Sequence, residues 1–463
     1  MGDHTGGDRT AADIAFLGGV VYRFDGGGPA AALALKDQLV QQVGTDEEIR
    51  ALIGPHTRVV QLLGRTVLPG INESHFHATW LGLMWPQTLM GSGALTPGEP
   101  GPGLRTAQER RSAILRATRL AASMGITSIT EPGLGPGEDD GATGAFGSDV
   151  LQQYRELAAA GELPVRVTTL ALFGELDGPT SWSDFENGLA RPVACEPDPR
   201  LLHQAGVKIF ADGIPPMGTA YTHREYRNGA RPELLVRPTG SADREQVLQH
   251  MVRTAHRAGQ QVAVHATGDR TIELVLEAVA DARAADDADL RHYIVHGDLV
   301  TSPQLRRMAE LGVGLNIQPG IALRTSSMVD AALGEGAAAE AWPLQEALDA
   351  GVAMCISSDA PILSPDWREH LAAADAWMGP AQNSQDRMAA LLRSVTVTPA
   401  YQDGAESWKG TLTPGKAADL CVVDRDPFQL TAADLPQLQV DMTVVGGSPA
   451  FERAGEPRDQ VSS

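Results

Sequence analysis

Six residues of this 463-residue chain have the types and placement to hold a divalent metal ion and use it for hydrolysis. His75 and His77 form a His-Phe-His triplet at the end of an apolar run. On a strand, residues i and i+2 point to the same face, so both imidazoles can reach one ion. Three further strand-like runs end in VAVHATGD with His265, YIVHGD with His296, and CISSDAP with Asp359. Lys208 lies within VKIFADG. Imidazole nitrogen and carboxylate oxygen suit a borderline-soft ion at about 2.0–2.2 Å, with a position left for water. Two other readings stay open. Lys208 could form an ion pair inside the fold with Asp212 or Glu131, and Asp359 could cap the segment that follows it.

These residues share one property: each falls in or just after a short strand-like run. Eight such runs are read, over 66–77, 125–133, 164–174, 207–213, 261–269, 291–298, 312–320 and 352–361. Helical patterns lie between most of them, at 105–124, 148–160, 242–258, 270–285, 302–311 and 343–350. Repeated strand–helix alternation predicts a parallel sheet. Eight units of this size suit an α/β fold of the (β/α)8 TIM-barrel type, whose active sites form at the C-terminal strand ends. Short Val-rich pieces at 14–24, 31–36, 39–43, 58–63, 419–424 and 442–446 stand outside the alternation. They are expected to pair as a small composite β-sandwich built from both chain termini. Residues 1–65 and 411–463 would then form the sandwich and 66–410 the barrel.

The segments LPGINESHFHATW (68–80), GVKIFADGIPP (206–216), QVAVHATGD (261–269), RHYIVHGD (291–298), SSDAPI (357–362) and LTPGKAADLCVVDRDPF (412–428) resemble the amidohydrolase superfamily. They are most similar to its family 3 branch, which includes N-substituted formamide deformylases. The resemblance implies that His75, His77 and Asp359 bind one metal and that His265 and His296 bind a second. It also implies carboxylation of Lys208 to a carbamate that bridges the two. The implied cofactor is one or two divalent ions, with zinc favoured. The implied reaction is hydrolysis of a C–N bond other than a peptide bond in a small amide, N-formyl or N-acyl amines favoured, with Asp359 as general base and then general acid. The same motifs serve superfamily members that deaminate cyclic amidines, open lactones, decarboxylate or isomerise, and an idle binding subunit is the reading from another class. Three features depart from the branch. Glu73 stands where Asp is common, MGTAY (217–221) replaces a loop that often carries a basic residue, and the stretch between strands one and four is short. His223, in the loop after strand four, is a candidate substrate contact.

Composition narrows the partners. Lys and Arg total 37 against 58 Asp and Glu, a net charge of −21. Nucleic-acid binders need a basic surface to displace counterions, so none is expected as a partner. No apolar run reaches about 18 residues, so no membrane span is expected. Hydrophobic residues make up 43%, enough for a large core. The three cysteines, Cys195, Cys355 and Cys421, are odd in number and far apart, which argues for a reducing compartment. With a polar, Gly-rich start, cytoplasmic location is expected. A small-molecule substrate and a homodimer complete the expected partners.

Overall fold

The structure, a computed structural model, describes residues 11–91, 103–191, 196–240 and 242–454. Most of the Gly- and Pro-rich stretch 91–103, whose composition predicts a loop, and Cys195 lie outside the described residues. Six strands come first: β1 (Ile14–Leu17), β2 (Val20–Val21), β3 (Ala32–Lys36), β4 (Leu39–Gly44), β5 (Arg58–Gln61) and β6 (Thr66–Pro69). Eight follow: β7 (Ile71–Glu73), β8 (Ile126–Leu134), β9 (Arg166–Leu172), β10 (Leu202–Phe210), β11 (Gln261–Ala266), β12 (Tyr293–His296), β13 (Gly314–Ile317) and β14 (Met354–Ile356). The last three are β15 (Leu420–Val423), β16 (Val440–Val445) and β17 (Ser448–Glu452).

Strands β7 to β14 form one parallel sheet in chain order, with helices between them, as in a (β/α)8 barrel. The short apolar runs explain this. A strand covered by helices outside and side chains inside has no polar face, and β8, β9 and β11 are buried at every position. The curl closes where β14 meets β7. Just past both strand ends, the Asp359 amide donates to the His75 carbonyl (3.1 Å) and the His77 amide to the Ala360 carbonyl (2.9 Å). Lower on the seam, the turn after helix Ser384–Arg393 is inserted. There Asn72 N donates to Val395 O, and Ile356 N to Ser394 O.

Both termini build the flanking β-structure. One sheet has the order β4-β3-β1-β5, the other β17-β16-β15-β6-β2. Ile14, Phe16, Leu33 and Leu35 share one core with Val67, Leu420, Val422 and Val444. Ala15 and Leu17, on the other face of β1, pack with Ala32, Ala34 and Ile49 beneath helix Asp46–Arg50. The unbroken apolar run of β1 is therefore buried on two sides.

The structure divides one expected strand. The run 66–77 is two strands: β6 pairs with β15 in the terminal sheet, and only β7 joins the barrel. The chain changes sheets at Gly70, where a Cβ would stand 2.1 Å from Thr127 Oγ1. No side chain fits that approach. Strand β10 begins five residues before the expected 207, and helices Pro319–Leu333 and Trp367–Met378 were not anticipated. Cys355 and Cys421 are free and buried, behaving as small apolar residues. No helix among the described residues is long and apolar enough to cross a membrane.

Two histidines away from the strand ends bind each other. Val262 N donates to His292 Nδ1 (3.0 Å), His292 Nε2 to His256 Nδ1 (2.8 Å), and His256 Nε2 to the Asp286 carbonyl (2.8 Å). Each ring nitrogen is used once, which requires both rings to be neutral. Burial, reinforced by His256 and Arg283, pushes the His292 imidazole down to about 3. An unfolded histidine takes up a proton near pH 6.5, whereas the folded one resists it. The stability from keeping His292 neutral is therefore complete above about pH 6.5 and declines as pH falls towards the folded value. His292→Asn keeps an acceptor for Val262 and removes the titration. Its melting temperature is expected to be lower than that of the unsubstituted protein at pH 7.5 but to fall less steeply between pH 6.5 and 4. Equal slopes would clear the pair of any part in acid sensitivity.

Candidate metal centre

Strand register brings the candidate ligands to one end of the barrel. His265 is the last-but-one residue of β11 and His296 ends β12, with Ala266 opposite His296. Lys208 sits two residues before the end of β10. His75 and His77 follow β7, and Asp359 follows β14 across the seam. His296 (φ 71°) and Asp359 (φ 55°) both adopt left-handed backbone conformations, which L-residues seldom hold without a compensating role.

The side chains converge. Asp359 Oδ1 lies 3.4 Å from both His75 Nε2 and His77 Nε2. Single ligand atoms of His75, His296 and Asp359 fall within 4.8 Å of one another, close enough to share an ion. The His265 and His296 rings are 4.5 Å apart, and those of His75 and His296 5.6 Å. Lys208 lies under the same influence, since its charge acts on His75 and His296 and it feels Asp359.

Protonation suits ligation. Burial drives His75 to about 3, helped by Lys208, and drives His296 well below the usual range, helped by His265. Both are neutral, with a lone pair to give. For Asp359 burial works towards protonation, but His75, then His77 and His296, outweigh it and hold the carboxyl well below its ordinary range. Burial lowers the Lys208 ammonium to about 8, against the pull of Asp359 and Asp177.

Neighbouring groups fix two tautomers. Gln318 gives its amide N–H groups to Asn316 and Ser357, so its Oε1 accepts from His296 Nδ1 (2.7 Å). His296 Nε2 is then free to ligate. His265 Nε2 donates to the Gly213 carbonyl (3.2 Å), which leaves Nδ1 free. That Nδ1 is buried with no partner, as are His75 Nδ1, His77 Nδ1, Lys208 Nζ and Glu131 Oε1. Buried polar atoms are almost always satisfied. The orphaned His265 Nδ1, beside the His75 and His296 imidazoles kept neutral by burial and the charged Asp359, fits a divalent cation.

The alternative readings of Lys208 and Asp359 do not hold. Asp212 is occupied by the amides of Thr267, Gly268 and Tyr221 and the Thr271 hydroxyl, where it ties the loops after β10 and β11 together. Lys208 Nζ bonds neither to it nor to Glu131. The helix after Asp359, Trp367–Met378, is capped by Asp366. His223 is placed apart. Its half-exposed ring bonds Glu273 (2.7 Å) on helix Asp269–Ala285, and none of its contacts among the described residues is with the cluster. Glu73 accepts from the His75 and Ser358 amides and so staples the seam. Glu131 and Gln318 were not singled out as site residues. Each is a polar residue in or just after a barrel strand, and applying that rule to all residue types would have found both.

A sequence model of the amidohydrolase family matches residues 101–451, a span that includes Lys208, His265, His296 and Asp359. The chain is 30% identical to the N-substituted formamide deformylase of Arthrobacter pascens over 308 residues, 65% of this chain and 55% of that protein. It is 25% identical to Protein LONG AFTER FAR-RED 3 of Arabidopsis thaliana over 364 residues, 74% of this chain and 58% of that one. It thus spans little more than half the length of these relatives. Among solved structures, an uncharacterized metal-dependent hydrolase from Pyrococcus furiosus superposes with a TM-score of 0.68 at 20% identity, covering 90% of this chain and 99% of the other. With well over half its length matched by the family model, the chain belongs to the amidohydrolase family.

Proposed function

We propose that the protein is a metal-dependent hydrolase that cleaves a C–N bond other than a peptide bond in a small amide, with N-formyl or N-acyl amines as its substrate class. The observation that carries this reading is the cluster of unpartnered imidazole, amine and carboxylate groups around Asp359. Family membership and the likeness to a formamide deformylase support the choice of bond.

His75, His77, His265, His296 and Asp359 would hold the ion, and their nitrogen and oxygen donors favour zinc. When bound, the ion lowers the pKa of a coordinated water towards about 7 and draws electron density from the substrate carbonyl. Asp359, charged and acceptor-only, takes the proton of the attacking water as the new C–O bond forms. It then returns that proton to the leaving nitrogen as the C–N bond breaks, giving an acid and an amine. Such shuttles contribute about 10²–10⁴-fold to rate.

Lys208 would contribute as a carbamate. Only the neutral amine adds to CO₂, and a lysine brought to about 8 has far more of that form at neutral pH than an exposed one. As the C–N bond forms the nitrogen gives up one proton to solvent, and the resulting carbamate would be an anionic oxygen ligand suited to a second ion.

Three outcomes are expected. Chelation should abolish hydrolysis of N-formyl amines, and zinc should restore it. Asp359→Asn, shown by elemental analysis to keep its metal, should lose at least about a hundredfold in kcat. Near-normal turnover in that variant would remove Asp359 from proton transfer. Protein prepared in ¹³C-bicarbonate should show a carbamate carbon by NMR that disappears in Lys208→Ala. A panel of N-formyl, N-acetyl, cyclic and ester substrates, read by product mass, tests the bond. Turnover of esters alone would sink the C–N assignment.

A further inference from the structure

Glu131 takes no part in the chemistry above, yet it is fully buried against the cluster. It projects from β8 at a point where pairing with β9 slips, between Glu131 and Leu134. Such a bulge re-aims a side chain. One oxygen is pinned: Glu131 Oε2 accepts from the Tyr154 hydroxyl (2.8 Å), the Thr79 amide (3.2 Å) and the Thr79 hydroxyl (3.4 Å). Tyr154 is itself buried, on helix Ser148–Ala159, and Thr79 lies in the first turn of helix Ala78–Met84, directly after His77. The other oxygen, Oε1, has no hydrogen-bond partner and points at His77 Nδ1, 3.8 Å away. That nitrogen is unpartnered too. The opposite ring nitrogen, Nε2, faces Asp359 at 3.4 Å.

Two buried, complementary orphans face each other across slightly more than hydrogen-bond distance, and the donors on Oε2 fix the carboxylate's orientation. We propose that Glu131, held by Tyr154 and Thr79, is a positioning residue for His77. It accepts the Nδ1 proton, so that Nε2 presents its lone pair to an ion beside Asp359. The inference rests on the ion-binding reading above and deepens it. A carboxylate behind a ligating imidazole fixes tautomer and ring angle and raises basicity, and its loss typically costs 10–100-fold in metal affinity.

Glu131→Gln gives a sharp test. The amide can keep its oxygen on Tyr154 and Thr79, but it then turns an N–H donor towards His77 Nδ1. That forces the proton onto Nε2, the tautomer that cannot ligate there. Zinc affinity, measured by chelator competition, should fall about 10–100-fold. The visible spectrum of the cobalt-loaded protein should change while the circular dichroism and melting temperature of the metal-free protein stay close to the unsubstituted values. Tyr154→Phe removes one of the bonds on Oε2 and keeps the carboxylate, so its affinity should fall less, in the same direction; it serves if Glu131→Gln fails to fold. Unchanged affinity and an unchanged cobalt spectrum in a folded Glu131→Gln, or in Tyr154→Phe if that alone folds, would overturn the assignment while leaving the ion-binding reading intact. An unsubstituted protein that binds neither zinc nor cobalt would overturn both.

Discussion

The arrangement of the site depends on how the barrel closes. The seam between β7 and β14 has no strand-to-strand ladder along most of its length, because residues 394 and 395 are inserted lower down. It joins at the rim, through Asp359 N to His75 O and His77 N to Ala360 O. The backbone bonds that complete the cylinder therefore belong to the residues whose side chains form the cluster. Closing the barrel and bringing one carboxylate oxygen between two imidazoles are a single event. Glu73 strengthens the seam by accepting from amides on both sides, and the left-handed Asp359 backbone is held within it. Strain of this kind persists only where the surroundings over-determine it.

Around this seam the site is built in layers of decreasing freedom. His75 and His296 are deprived of water and so of protons, which makes them donors of lone pairs. Gln318 and the Gly213 carbonyl then choose which nitrogen of His296 and of His265 carries the remaining hydrogen. Asp212 acts one step further out. By collecting donors from the loops after β10 and β11 and from Thr271 in the helix that follows, it holds the segments that flank Lys208 and His265. A carboxylate with that many donors has no capacity left for Lys208, whose amine is buried without a hydrogen-bond partner.

Much of this was readable in the sequence, for identifiable reasons. Parallel strands buried on both faces leave short apolar runs, and a polar residue ending such a run stands out, as His265, His296 and Asp359 do. Pairing between distant segments leaves no such mark. Nothing local in 66–77 says that Thr66–Pro69 will pair with residues some 350 positions later, so the two strands read as one. Gly70 was the one local cue, since a glycine inside a strand marks a bend or close approach. Helix Pro319–Leu333 lacks clear amphipathic spacing and has no side-chain cap, so its period was weak. The sequence offers Glu131 only as an ion-pair partner for Lys208, although it sits on its strand as the others sit on theirs. His223 stands apart from the cluster. Its loop follows a barrel strand, but its ring turns outward to Glu273.

The terminal sheet has a consequence for biosynthesis. Strand β6 lies between β2, made early, and β15, made more than 350 residues later. While the chain emerges from the ribosome, β6 has one edge that stays exposed until β15 pairs with it. Contacts of such long sequence separation form slowly. Unpaired edges invite association between nascent chains during that interval. The barrel strands β7 to β14, each beside its sequence neighbour, can assemble progressively, whereas the sheet at their base must wait for nearly the last strand translated.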